Sequence, residues 1–169
     1  MAVDIKLLGP QDAGVLRHVA PDVFDDPINM RRAEEFLADP RHHLVVAVDD
    51  GLVVGFVSAV HYLHPDKPFP ELWINEVSVT TTHRGRGLGT RLLRAMFAVA
   101  RGLGCTEAWV LTDRANTAAM RLYAAAGSTE PPSDSVMFTF RLDGGAAHGD
   151  QDSALPATDA EPGAAPNRP

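Results

Sequence analysis

The chain has 169 residues, of which 45 % are hydrophobic, and carries a formal net charge of −7 from 22 acidic and 15 basic residues. This length supports one ordinary globular core and excludes two domains of typical size. Residues 143–169 contribute −4 of the charge, so the body of the chain is only mildly acidic. The lack of clustered Lys and Arg argues against a nucleic-acid partner, and the acidity suits a cationic small molecule.

Cys105 is the single cysteine, so no internal disulfide can form and a reducing compartment is expected. The first residues show no basic stretch followed by an apolar run, and no segment reaches the length of a membrane span. We therefore expect a cytoplasmic protein without a membrane partner.

The first half of the chain predicts one strand, two helices and a β-hairpin. Asn29 is placed to cap the second helix, and Asp49-Asp50-Gly51 has the composition of a hairpin turn. The elements follow from β-branched runs and helical apolar spacing, and they are a strand over 3–8, helices over 11–19 and 29–38, and strands over 43–48 and 52–62.

The second half alternates strands with amphipathic helices. The pattern predicts strands over 71–80, 105–111 and 136–142, with helices over 88–103 and 116–126. Residues 143–169 are mostly Gly, Ala, Pro, Asp and Ser, so they cannot offset the entropy cost of ordering. We expect one domain of the α/β (α+β) class over residues 1–142 and a disordered tail over 143–169.

A glycine-rich turn is the most informative motif. A strand ending at Val79 leads into Arg84-Gly85-Arg86-Gly87-Leu88-Gly89, which opens directly into a helix. Glycines allow backbone N–H groups to converge, and a helix N-terminus adds positive partial charge, so this architecture favours a diphosphate. A dinucleotide fingerprint is excluded because Thr90 stands where the third glycine belongs, and a P-loop is excluded because no lysine lies near the turn.

Two segments together resemble a known family. Arg84-x-x-Gly87-x-Gly89 is similar to the acetyl-CoA motif of the GNAT superfamily of N-acetyltransferases, and Asn116-x-x-Ala119-x-x-Leu122-Tyr123-x-x-x-Gly127 is similar to its downstream helix. The resemblance covers about residues 44–140. It implies the GNAT fold, a mixed and mostly antiparallel sheet of six to seven strands with about four helices, and acetyl-CoA as the acetyl donor.

The resemblance also assigns residues to the donor. The backbone of the strand before the turn would pair with the pantetheine arm, the turn would hold the pyrophosphate, and the Val79 amide would stabilise the oxyanion as a tetrahedral intermediate forms. Asn116 would bond the arm, although asparagine at this position also fits a simple helix N-cap. The residues expected to bind acetyl-CoA are Val77, Ser78, Val79, Arg84, Gly85, Arg86, Gly87, Leu88, Gly89, Thr90, Asn116 and Ala119.

Two residues are candidates for proton transfer. Glu76 precedes the cofactor-pairing strand residues, and the apolar alternation changes phase around it, which indicates a bulge that aims its carboxylate into the cleft as general base. Tyr123 occupies the position that the family uses for the general acid. An exposed edge carboxylate and a half-buried packing tyrosine are the alternatives.

The acceptor is predicted from a second, less specific resemblance. Three segments are most similar to aminoglycoside 3-N-acetyltransferases, namely Val23-Phe24-Asp25-Asp26, residues 71–79 and the closing Val136-Met137-Phe138-Thr139-Phe140. This resemblance implies a small polycationic amine and antibiotic resistance. Such an acceptor needs several carboxylates around one cleft. The candidate substrate-binding residues are Asp25, Asp26, Glu71, Asn75, Asp113 and Asp134.

Other readings stay open. The acceptor amine could belong to a polyamine, a small amine or a protein N-terminus, and the chain could be a non-catalytic acyl-CoA-binding module. His42-His43 and His61-x-x-His64 have no Cys or carboxylate to complete a tetrahedral set, so no metal is predicted. Dimers are common in the family, so the resemblance is also compatible with a homodimer.

Overall fold

The computed structural model describes residues 3–129, and the predicted strand over 136–142, Asp134 and the tail over 143–169 lie outside these residues. The described strands are β1 (Asp4–Leu8), β2 (His42–Asp49), β3 (Leu52–Tyr62), β4 (Glu71–Val79) and β5 (Glu107–Val110). The helices are α1 (Met30–Ala38), α2 (Leu88–Gly102) and α3 (Thr117–Ala125), with short 3-10 helices at Ala13–Arg17 and Thr81–His83.

The five described strands form one sheet in the order β1-β2-β3-β4-β5. The first three pairings are antiparallel, and β4 pairs with β5 in parallel. A mixed and mostly antiparallel sheet with flanking helices was predicted, and this fold class is confirmed. The count of six to seven strands exceeds the five that occur within residues 3–129.

Each face of the sheet buries its own apolar cluster. On one face, which we call the α1 face, α1 and the first 3-10 helix cover Leu44, Val46 and Phe56. On the other, the α2 face, α2 covers a cluster that includes Leu72 and Ile74. Alternate residues of a strand point to opposite faces, so the position of any strand side chain in this alternation decides which helix it meets.

The predicted helix cap at Asn29 and the predicted hairpin turn at Asp49-Asp50-Gly51 are both confirmed. The Asn29 side chain accepts a hydrogen bond from the Arg32 amide at 3.2 Å and caps α1. Asp50 and Gly51 both have positive φ, 49° and 78°, which is the backbone of a two-residue type I′ hairpin turn. These contacts are local in sequence, which is why residue type alone predicts them.

Two predicted elements are wrong in length. The helix expected over 11–19 is only the 3-10 turn Ala13–Arg17, because the Asp12 carboxylate binds the Gly9 amide at 2.9 Å and forms a tight turn instead. The strand expected over 105–111 is only β5, because the Cys105 amide still donates to the Ala100 carbonyl at 3.0 Å. Leu103, expected on the buried face of α2, is 38 % exposed beyond the end of that helix.

Candidate active site

A β-bulge in β4 places Glu76. Ala59 of β3 pairs with Ile74 and the next residue, Ser58, pairs with Glu76, so Asn75 is an extra residue without a partner. In a regular strand of this sequence Glu76 would share the α2 face with Ile74. The bulge moves it to the α1 face, beside Ser58, and the phase break predicted this change.

The strands β4 and β5 separate after the bulge and leave a gap in the sheet. Their parallel pairing covers only Glu71–Ile74 of β4, so within residues 3–129 the β5-side edge of 75–79 has no strand beside it. The Thr80 amide donates to the Val54 carbonyl at 2.9 Å. Backbone groups alternate in direction along a strand, so the amides of Val77 and Val79 point away from β3 and into the gap. These amides can bind an extended ligand.

The glycine turn presents a row of free donors. Gly85 and Gly87 have φ of 72° and 73°, a left-handed backbone that favours glycine. The Arg91 amide donates to the Gly87 carbonyl at 3.1 Å as α2 begins. The amides of residues 85–90 have no acceptor within the described chain, and the helix dipole adds to their positive potential. This geometry fits a diphosphate without a metal.

Side chains fix the turn to the rest of the sheet. The Arg84 guanidinium donates from Nε to the Val79 carbonyl at 2.9 Å, so this arginine ties the turn to the strand end, whereas we expected it to contact the anion. The Val79 amide has no acceptor among the residues that the structure describes. Arg86 makes no hydrogen bond or ion pair within residues 3–129, so it is the arginine of the turn available to an anion.

Asp22 is a positioning residue that sequence reasoning missed. Its carboxylate accepts from the buried Thr80 hydroxyl and from the Thr81 amide, the latter at 2.8 Å. These hydrogen bonds lower the pKa of Asp22 to about 2. The partners are 58 and 59 residues apart in sequence, so the only sequence signal was a turn-type aspartate.

Two glycines allow close approach around the donor site. A Cβ on Gly89 would lie 3.0 Å from a terminal carbon of Leu122, so Gly89 lets α3 pack closely on the start of α2. A Cβ on Gly55 of β3 would lie 2.8 Å from the Ser78 carbonyl oxygen. Gly55 was not predicted as a site residue, and its glycine keeps the donor-binding half of β4 in register.

Tyr123 lies on the opposite side of the sheet from Glu76. It packs against the α2-face cluster and lines a cavity of 280 Å³ together with Ile74 and Val110. Burial raises the pKa of its hydroxyl. At the start of α3, Asn116 accepts from the Ala119 amide at 3.0 Å, so it is an N-cap whose amide nitrogen stays available to a ligand.

Glu76 lines an apolar cleft on the α1 face, and the residue itself remains exposed to solvent. The cleft has a volume of 260 Å³, and partial burial, followed by the nearby Asp25 carboxylate, raises the pKa of Glu76. A base in this state holds a proton more readily than an ordinary surface glutamate. The lining side chains include Phe24, Ile28, Arg32, Phe36, Phe56 and Ser58.

Within residues 3–129, the other predicted acceptor residues do not form one ring of carboxylates. Asp25 and Asp26 line an adjoining cavity of 520 Å³. Asn75 is the exposed bulge residue. Glu71 lies at the far end of β4, where Tyr62, His64 and Lys67 surround its carboxylate. Asp113 lies on the exposed loop that precedes α3.

A family comparison agrees with this geometry. The model of the Acetyltransferase (GNAT) family matches residues 15–127. The chain belongs to this family. A GNAT acetyltransferase transfers an acetyl group from acetyl-CoA to an amine, and the gap, the free amides of 85–90 and the capped α3 fit that donor.

One similar protein is an N-alpha-acetyltransferase. The GNAT enzyme is 37 % identical over 105 residues to the N-alpha-acetyltransferase RimI of Mycobacterium tuberculosis, covering 62 % of this chain and 63 % of the relative. It thus spans less than two thirds of that relative's length.

Solved structures share the fold. One is the ribosomal-protein-alanine N-acetyltransferase of Brucella melitensis, with a TM-score of 0.65, 24 % identity and coverage of 82 % and 100 %. Another is an aminoglycoside acetyltransferase from an uncultured soil sample, in complex with sisomicin, with a TM-score of 0.70, 18 % identity and coverage of 83 % and 97 %. None of these three proteins is named as an aminoglycoside 3-N-acetyltransferase.

The described residues contain neither a candidate membrane span nor a candidate metal cluster. Among the described helices, none has the length and apolar character needed to cross a membrane. Within residues 3–129, no cluster of three or more His, Cys, Asp or Glu could hold a metal ion. His43 and His61, which the sequence raised as metal candidates, bond to each other through Nε2 and Nδ1 at 2.8 Å.

Proposed function

We propose that this GNAT enzyme acetylates the α-amine of a peptide or protein N-terminus. The observation that carries the proposal is the cleft beside Glu76, which is mostly apolar and contains one candidate base. A polycationic acceptor needs several free carboxylates, and Glu71 is already compensated by Lys67. A peptide N-terminus, with one amine and a small apolar first side chain, fits this cleft better than a polycationic acceptor. The similarity to an N-alpha-acetyltransferase over 105 residues supports the same class.

The residues divide the proton transfers between the two faces of the sheet. Acetyl-CoA, when bound in the gap, supplies the acetyl group as a thioester. Glu76 takes a proton from the attacking amine on the α1 face as the C–N bond forms. The Val79 amide donates to the carbonyl oxygen, where negative charge develops. Tyr123, on the α2 face, gives its hydroxyl proton to the sulfur as the C–S bond breaks, and its raised pKa keeps it protonated until then.

An aminoglycoside is the second candidate acceptor. Asp25 and Asp26 line a cavity of 520 Å³ that shares Phe24 and Ile28 with the Glu76 cleft. Two carboxylates beside the base would hold additional ammonium groups. This candidate predicts turnover on gentamicin-type compounds and resistance in cells that express the enzyme.

Release of free thiol from acetyl-CoA distinguishes the candidates. The panel contains short peptides with a free N-terminus, the same peptides with a formylated N-terminus, aminoglycosides and polyamines. We expect turnover only with the free peptides, mass-spectrometric placement of the acetyl group on the α-amine, and loss of turnover in Glu76→Gln. Turnover confined to aminoglycosides or polyamines would overturn the peptide proposal, and donor binding without any turnover would identify a non-catalytic module.

A further inference from the structure

A stacked tryptophan pair stands on the α1 face of β4 and β5. The rings of Trp73 and Trp109 lie parallel, with centroids 5.1 Å apart and an interplanar angle of 4°. Trp73 is 37 % exposed, and the Trp109 indole nitrogen donates to the Tyr62 hydroxyl at 2.6 Å. That hydroxyl in turn donates to Glu71 at 2.9 Å, so the pair has a fixed orientation.

The bulge places this pair directly beside the candidate base. Trp73 pairs with Val60 of β3 and Glu76 pairs with Ser58. The two partners are two residues apart on β3, so Trp73 and Glu76 are successive side chains on the α1 face. Their separation along the strand is about 7 Å, the rise of two strand residues. A group bound on the pair would lie beside the amine being acetylated.

Carboxylates flank the pair along the strands. Glu76 and Asp25 lie on one side, since the Asp25 charge acts on Glu76. Glu71 and Glu107 are paired residues of β4 and β5 on the other side, two positions before the tryptophans. Glu71 forms an ion pair with Lys67 and its carboxylate lies 3.6 Å from His64 Nε2, whereas Glu107 has no ion pair within the described residues. An indole pair between negative charges is complementary to a cation.

We propose that Trp73 and Trp109 form a subsite for a cationic side chain, that of Arg or Lys at the third residue of the acceptor peptide. The proposal rests on the peptide function proposed above. In an extended peptide the third residue lies about 7 Å from the first, the rise of two residues. With the α-amine of the first residue at Glu76, the third residue therefore lies at Trp73. The guanidinium would lie over the indoles, with Glu107 as its charged neighbour.

Paired peptides test the charge alone. One carries Arg at the third position and the other carries citrulline, which has nearly the same shape and no charge. We expect the wild-type enzyme to favour the Arg peptide in kcat/KM by about three- to thirty-fold, the range of a cation over an aromatic ring. The ratio should fall to about one in Trp73→Leu and be largely kept in Trp73→Phe, with the KM for acetyl-CoA unchanged in both.

Two controls separate the subsite from general effects. Phe69→Leu removes another exposed aromatic residue, 53 % accessible and outside the strands, and should leave the ratio intact. Moving Arg to the sixth peptide position should abolish the preference. Trp73 and Trp109 are also the two tryptophans of the chain, so their emission should change on titration with the Arg peptide and not with the citrulline peptide.

The outcomes distinguish this proposal from the function on which it rests. Equal turnover of both peptides by the wild type, or a preference that survives Trp73→Leu, would overturn the subsite and leave N-terminal acetylation standing. Turnover of no peptide in the series would overturn both proposals. A preference for peptides with an aromatic third residue over the Arg peptide would show that the tryptophan pair binds an aromatic side chain by stacking and not a cation.

Discussion

At the scale of single residues, Glu76 illustrates how one inserted residue changes chemistry. The carboxylate belongs to the α1 face because Asn75 takes no partner on β3. There it meets both the apolar cleft and the Asp25 carboxylate, and each raises its pKa. Partial burial and a neighbouring charge thus raise the pKa of one ordinary strand glutamate, as the proposed role in proton removal requires.

The Asp25 effect gives a prediction about pH. Removing that negative charge in Asp25→Asn should lower the pKa of Glu76, so the acid limb of kcat/KM should move to lower pH. The amine titrates identically in all variants, so a difference between profiles reports the enzyme. Asp26→Asn is the matched control and should leave the limb in place. An unmoved limb in Asp25→Asn, or equal movement in both variants, would contradict an electrostatic coupling to Glu76.

Residue-level sequence reasoning succeeded where the cause is local. The phase break around Glu76 and the N-cap type of Asn29 are readable from neighbouring residues. The contacts of Asp22 with Thr80 and Thr81 are not, because they join segments 58 and 59 residues apart. Glu71 was expected to face the acceptor, and its actual surroundings were likewise not readable from the sequence. Its partners Tyr62 and Lys67 become neighbours only when β3 and β4 pair.

At the scale of elements, Gly89 sets the distance between α2 and α3. A Cβ at this position would lie 3.0 Å from Leu122, whose side-chain tip can move, whereas a branched side chain would push α3 away. Tyr123 of α3 and its N-cap Asn116, both proposed to contact the donor, would move with it. Gly89 therefore serves helix packing in addition to the anion binding expected of the glycine motif.

A double substitution tests that spacing. Gly89→Val should destabilise the protein by about 1–3 kcal/mol, the usual cost of overpacking, and raise the KM for acetyl-CoA. Gly89→Ala should be much milder because the Leu122 tip can yield. Adding Leu122→Ala to Gly89→Val should recover part of the KM, measured as a coupling in the double-mutant cycle. Strictly additive effects would show that Gly89 acts only through its backbone at the anion site.

The elements that were predicted poorly are the short ones. The helix predicted over 11–19 is replaced by a five-residue 3-10 helix, because Asp12 and Gly9 form a competing local turn. β5 is short because Cys105 still belongs to the hydrogen bonds that end α2. Long amphipathic segments such as α2 have enough repeated positions to identify them, whereas short elements depend on which tertiary contact prevails.

At the scale of the whole molecule, the sheet separates the Glu76 cleft from Tyr123. α1 and the Glu76 cleft lie on one face, α2 and Tyr123 lie on the other, and the gap between β4 and β5 lies between them. Three hydrogen bonds hold the residues after β4 to distant segments. Asp22 binds Thr80 and Thr81, and His83 bonds to Asp49 of β2 at 3.1 Å.

His43 should make the stability of the whole protein depend on pH. Burial, with the neighbouring His61 and His42, lowers its pKa to about 4. The unfolded chain takes up a proton near pH 6.5 that the folded chain takes up only near 4, so stability should fall as pH drops through this window. The slope from this group is at most about 1.4 kcal/mol per pH unit.

Urea unfolding at pH 7 and pH 5 measures the effect. The wild type should lose more stability between these values than His43→Gln, which cannot titrate but can still hydrogen-bond His61. His18→Gln replaces an exposed histidine and should behave as the wild type. Equal losses in the wild type and His43→Gln would assign the pH dependence to other groups.

The incomplete pairing of β4 should make the folding stability of this chain depend on the concentration of its donor. Strand edges with free amides are the part of a sheet most prone to join another chain, and the 75–79 edge is such a segment within the described residues. A thioester donor that fills the gap satisfies those amides and binds only the folded chain. At a hundredfold excess over its dissociation constant it would add about 2.7 kcal/mol to folding stability. Falling donor levels would therefore lower the amount of soluble enzyme as well as its rate.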